Sequence, residues 1–137
     1  MSTDVRAFVA ALGLALVSTA SLACGVCIED RVAAVFDDAT VQAAVAKKRH
    51  LAFFGIEGAL PATAESRNAI LAALQAGGGI KGTSHVSLES ASASIAFDPS
   101  KTSLAGLRAG AEKRLAAKGL QLTAFRVIDG SGVLREP

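Results

Sequence analysis

Two cysteines, Cys24 and Cys27, are the only thiols in the 137-residue chain, and they stand three apart as Cys24-Gly25-Val26-Cys27. Thiols at this spacing, at the start of a helix, can both point at one ion. The positive end of a helix favours thiolate over thiol, and thiolates favour soft cations such as Cu(I). Two thiolates suffice for a linear or trigonal Cu(I) site, whereas a closed zinc site needs about four ligands. Haem attachment is excluded, because Ile28 follows Cys27 where a His is required. Two other chemistries remain open for the pair. Cys-Gly-x-Cys before a helix resembles thioredoxin-type redox sites, and an exported protein can equally keep the pair as a structural disulfide.

The remaining polar residues carry weaker signals. His50 opens a strand beside the basic run Lys47-Lys48-Arg49, and His85 falls on the outward phase of its strand. Either is a conceivable third ligand, and a solvated surface imidazole is the plainer expectation for both. Glu29-Asp30 and Asp37-Asp38 read as helix dressing. Gly77-Gly78-Gly79 follows a helix, whereas a phosphate-binding loop precedes one. Apart from the cysteines no nucleophile constellation stands out, so a non-enzymatic protein is expected, with a thiol-disulfide oxidoreductase using the same pair, or an interaction module with a structural disulfide, as the alternatives.

Residues 1–23 read as a secretory signal peptide. Arg6 precedes the apolar run Ala7 to Val17, and the small residues Ser18 to Ala23 offer a cleavage region. An uncleaved anchor over the uncharged stretch Ala7 to Ile28 is the first alternative. Lipidation at Cys24, after Leu22-Ala23, is the second; the usual lipoprotein box has its Leu one position earlier, where Ser21 stands. Export implies a periplasmic or secreted protein. The net charge of +2, with the bases scattered apart from residues 47–49, argues against a nucleic-acid partner. With six Phe and neither Trp nor Tyr, the core must be aliphatic.

The elements that position the thiols follow from periodicity. Ile28, Val32, Val35, Phe36, Ala39, Ala43 and Ala46 recur at steps of three and four, predicting one long helix from Ile28 to Lys47. Asp37-Asp38 is the one place for a bend. His50 to Ile56 reads as a strand and Gly58 to Pro61 as a break. A helix capped by Thr63 runs to about Ala76. Thr83 to Glu89 and Ala91 to Asp98 read as a hairpin turning at Glu89-Ser90. A helix capped by Thr102 or Ser103 carries Leu104, Leu107, Ala111 and Leu115, and Gly119 closes it. Gln121 to Ile128 is a last strand, and residues 130–137 form a loose tail.

From His50 the order is strand, helix, strand, strand, helix, strand. That is the ferredoxin-like βαββαβ arrangement, an α+β fold with an antiparallel sheet and two helices on one face. It spans residues 50–129, preceded by the Cys-x-x-Cys and helix segment of residues 24–49. The first and last strands are apolar on both faces: Leu51 and Phe53 against Phe54 and Ile56, Phe125 and Val127 against Leu122, Ala124 and Ile128. Two helices cover one face only, so the Ile28–Lys47 helix is expected on the other. Ser92, Ser94 and Ala96 leave room for its approach, and a packed Phe36 there would cost about 3–5 kcal/mol on truncation to Ala.

The stretch from Ala93 to Leu104 (ASIAFDPSKTSL), a strand ending in an aromatic-Asp-Pro turn that leads into a helix, resembles heavy-metal-associated domains. Phe54-Gly55-Ile56-Glu57-Gly58 is similar to that family's first strand end. The resemblance implies a soft metal ion, copper first among them, and another exported metal-handling protein as partner. It does not supply the ligands. The family's Cys-x-x-Cys lies in the loop after the first strand, and here that loop, Glu57 to Thr63, has no Cys, His or Met. The metal ligands expected are therefore Cys24 and Cys27.

Overall fold

A computed structural model describes residues 27–137; the stretch expected to be a signal peptide and Cys24 lie outside the described residues. The chain is α+β. Helices α1 (Ile28–Ala33) and α2 (Asp38–Ala46) lead to strand β1 (His50–Glu57) and helix α3 (Ala64–Ala76). Strands β2 (His85–Ser87) and β3 (Ser92–Phe97) follow, then helix α4 (Leu104–Leu115) with a 3-10 turn, strand β4 (Gln121–Ile128) and strand β5 (Leu134–Arg135). The five strands form one antiparallel sheet in the order β2-β3-β1-β4-β5, with β1 central.

Side-chain alternation sends the two faces of the sheet into two separate cores. Ala52, Phe54 and Ile56 of β1, with Ala93, Ile95 and Phe97 of β3, pack on Ile70, Ala73 and Leu74 of α3 and Leu107, Ala111 and Leu115 of α4. These helices begin at side-chain caps, Thr63 Oγ1 accepting from Ser66 N and Ser103 Oγ from Gly106 N. The end of α3 meets the middle of α4. A β-carbon on Gly110 would meet Gly77 Cα at 2.7 Å, so glycine is what permits that approach.

Leu51, Phe53, Ala96 and Ile128 face the other way and pack on Val35 and Ala44, with Val32, Val41 and Val45 around them. The segment before β1 thus covers the second face, as the two-sided apolar strands require. The room left by small β3 residues is used directly, because buried Ser94 donates its hydroxyl to Val35 O at 2.7 Å.

Four expectations are corrected. The single helix Ile28–Lys47 is two helices. Asp37 takes an extended backbone and caps α2, its carboxylate accepting from Thr40 N (2.8 Å) and Thr40 Oγ1 (2.6 Å). Local side-chain capping wins over helix continuation there. Phe36, in the break, is 46% exposed and stacks on Phe53 at 6.3 Å instead of being buried. In β4 the register shifts between the partners of Phe53 and Phe54. This bulge changes the phase of the strand: Val127 pairs with Ala52 and Ile128 with Leu51, so the two point to faces opposite to those simple alternation gives. Finally, the tail is not loose. Asp129 accepts from Ser131 N, Ser131 Oγ, Val133 N and Arg135 Nε, which turns the chain back so that Leu134 pairs with Ile128.

Candidate functional site

Cys27 is the residue immediately before α1, in extended backbone, and is exposed; its side chain makes no capping hydrogen bond. Its carbonyl accepts from Arg31 N at 3.1 Å, closing the first turn.

Where that turn sits is set by Arg31. Its Nε donates to Ser90 O (3.0 Å) and its Nη2 to Ala91 O (2.6 Å), while Nη1 lies 3.7 Å from Glu57 Oε1. Ala91 O also accepts Ile56 N, so this guanidinium is level with the end of β1. Its Cζ lies over the Phe125 ring, 4.6 Å from the centroid, a cation–π contact. The side chain is 16% exposed. Gly55 makes the arrangement possible, since a β-carbon there would come 2.7 Å from Phe125 Cε2 and 2.9 Å from Arg31 Nη2. On the other flank of α1, Glu29 Oε1 accepts from Arg126 Nη2 at 2.9 Å.

Four residues after Arg31, Val35 O meets Ser94, whose partner in β1 is Phe53. The helix therefore runs from the Glu57 end of β1 toward its middle, antiparallel to it. Cys27 precedes the helix whose Arg31 is fastened near the sheet end that carries the β1–α3 loop. That loop, where heavy-metal-associated domains keep their ligands, has Gly58 in a left-handed conformation (φ 119°) and Leu60 packed against the α3–α4 core.

The structure does not bring the histidines to this end. His50 begins β1, at its opposite end, and sits edge-on to Phe97 with centroids 5.4 Å apart. His85 is not on a free outward face as expected. It pairs with Ser94 and so points at the α2 side, where its Nε2 is 3.1 Å from Thr40 Oγ1 and 3.8 Å from Asp37 Oδ2. Hydrogen bonds from the Thr40 hydroxyl and backbone hold the Asp37 carboxyl below its ordinary pKa. Asp37 thus serves as a cap, consistent with its reading as helix dressing. Among the described residues, no three His, Cys, Asp or Glu side chains gather into a metal-holding group. No helix among them is long and apolar enough to cross a membrane.

Arg31, Gly55 and Phe125 escaped the sequence reading. Their signals are a glycine inside an apolar strand, which marks a close approach, and an arginine one helical turn after Cys27. Comparison with family models, with curated proteins and with solved structures returns no match for the chain.

Proposed function

We propose that the mature chain is an exported, non-enzymatic protein with a ferredoxin-like domain of the heavy-metal-associated type. It carries a soft metal ion, Cu(I) first, as cargo on the thiolates of Cys24 and Cys27 and passes it to another exported metal-handling protein. The antiparallel order β2-β3-β1-β4, with α3 and α4 on one face, supports the ferredoxin-like reading. The observation that supports the metal reading is that Cys27 is exposed at the residue before α1. Arg31, one turn on, is fastened near the Glu57 end of β1, beside the loop that in the resembled family holds the ligands and here has no soft ligand.

Binding exchanges protons for the ion. Each thiol gives up its proton as its sulfur coordinates, so affinity falls as pH falls. The test is titration of the reduced mature protein with Cu(I) against a competing chelator. About one Cu(I) per chain is expected from the two-thiolate ligand set, with Cys24→Ser and Cys27→Ser each abolishing tight binding. Unchanged affinity in the double Cys→Ser variant overturns the reading. Cysteine-dependent reduction of a disulfide substrate without Cu(I) binding would replace it with thiol–disulfide exchange.

A further inference from the structure

Strand β1 begins at His50 and ends at Glu57, and its antiparallel neighbours finish where it begins: His50 pairs with Phe97 and Leu51 with Ile128. The segments just before β1, just after β3 and just after β4 are thereby gathered at one end of the sheet. The loop before β2 joins them, because Ile80 N donates to Ala96 O and Thr83 Oγ1 accepts from Ala96 N. Five bases meet there: Lys47, Lys48 and Arg49 after α2, Lys81 in the loop and Lys101 in the turn after β3. Four are exposed and Arg49 is half-buried. Lys47 and Arg49 line one groove with Gly82 and Thr83. The Asp98 carboxyl, lowered chiefly by the Ser100 hydroxyl, also feels Lys101 and Arg49. None of the five bases makes an ion pair among the described residues, whereas Arg31, Arg108, Lys118, Arg126 and Arg135 all do. The acids at this end do not cancel them. Asp129 is matched by Arg135, which leaves Asp98 and Glu136 against five bases.

We infer that the His50 end of the sheet is a docking surface for a membrane of anionic phospholipid. Its charge complements such a leaflet, which attracts each base that comes near it. The acids of the Glu57 end do not weaken this field. By strand rise they lie about 23 Å away, beyond the Debye length of about 8 Å at physiological salt. The arrangement suits a charged plane better than a single ligand. The five bases come from three separate segments laid across the sheet end. Four of them are lysines, point charges on flexible stems, whereas recognition of one carboxylate or phosphate relies on the arginine fork. The contact is peripheral, made by the ends of elements and not by a spanning helix. It is independent of the metal reading, and it leaves the Glu57 end of the sheet turned away from the membrane.

The experiment is co-sedimentation of the native, processed protein with vesicles of phosphatidylglycerol or of phosphatidylcholine. Binding to the anionic vesicles that weakens as salt rises, with none to the zwitterionic ones, is expected. Each base near such a surface strengthens binding about fivefold. The variant Lys47→Gln/Lys48→Gln/Lys101→Gln should therefore bind about a hundredfold more weakly. Its control, Lys113→Gln/Arg114→Gln/Lys118→Gln, removes the same charge at the opposite end, where Gly119 lies against Gly58, and should lose far less. All six residues are exposed, and thermal unfolding checks that both variants are folded. Soluble polyglutamate probes an acidic polypeptide as the partner instead, and it should not displace the protein from anionic vesicles at matched charge. Failure to bind those vesicles overturns the inference. Equal losses in the two variants do so as well, since net charge alone would then explain the binding. Retention on phosphatidylcholine would replace the basic surface with an apolar or lipid anchor, and displacement by polyglutamate would replace the membrane with an acidic protein.

Discussion

Gly55 of β1 and Phe125 of β4 share one space: the Phe125 ring occupies the position a side chain at Gly55 would need, and Arg31 Nη2 lies 2.9 Å from the same point. The bulge in β4 puts Phe125 there, and the missing side chain in β1 accepts it. Gly55→Ala should therefore act as overpacking. The expected cost is about 1–3 kcal/mol, read as a lower urea midpoint, with the ring and the guanidinium displaced together. An alanine variant as stable as the wild type would mean the space is not shared.

Two phenylalanines on opposite faces of the sheet should separate in a mutation series. Phe54 is fully buried between β1 and the α3–α4 layer, so Phe54→Ala should cost about 3–5 kcal/mol. Phe36 is about half exposed and leans on Phe53, so Phe36→Ala should cost on the order of 1 kcal/mol. Chemical denaturation of the two variants checks the ranking. Equal losses would place Phe36 in the core after all.

Stability should fall on acidification through three carboxylates. Hydrogen bonds, chiefly from the hydroxyls of Thr40, Ser100 and Ser131, hold Asp37, Asp98 and Asp129 below the ordinary carboxylate pKa. A pKa depressed on folding stabilises the folded state above the unfolded value, and that contribution disappears as pH drops through the folded value. Thermal midpoints should thus be flat near neutrality and decline below about pH 4. Asp129, whose shift is the largest, should account for much of the slope, so Asp129→Asn should flatten the profile. An identical acid limb in that variant would remove Asp129 from the account.

Neither histidine should matter for the metal. His50→Ala and His85→Ala should bind Cu(I) as the wild type does, because one ring packs at the far end of β1 and the other is held at the α2 cap. A tenfold loss in either would make that imidazole a third ligand.

Export is checked by intact mass. The native protein should have lost about 20 to 23 residues, from ordinary signal-peptide anatomy. A full-length chain would leave the anchor, and a lipid increment on Cys24 would favour the lipoprotein.

The fold was largely legible because its two cores are written in two periods. Leu51, Phe53 and Phe54, Ile56 alternate through β1, while Ile70 and Leu74, or Leu107, Ala111 and Leu115, recur at helical steps. What was missed lies where a local interaction breaks the period. The Asp37 cap splits a helix whose apolar spacing continues unbroken, and the Phe125 bulge reverses the phase of Val127 and Ile128. Cys27 was legible as a thiol with a partner three residues away. Where the helix after it is fastened was not, because that depends on Arg31 meeting Ser90 and Ala91, 59 and 60 residues further along the chain.

The brevity of the outer strands has its own consequence. β2 has three residues and β5 two, and Arg67 Nη1 donates to Val86 O at 2.6 Å on the β2 side. An antiparallel sheet ordinarily offers its rims as templates for a further strand from a neighbouring molecule. On the β2 side the rim is three residues long and has an arginine on a main-chain carbonyl. On the other side β5 covers only Val127 and Ile128, so the first six residues of β4 form the rim themselves. The two rims are therefore unequal, and a further strand would find its template along β4 and not along β2.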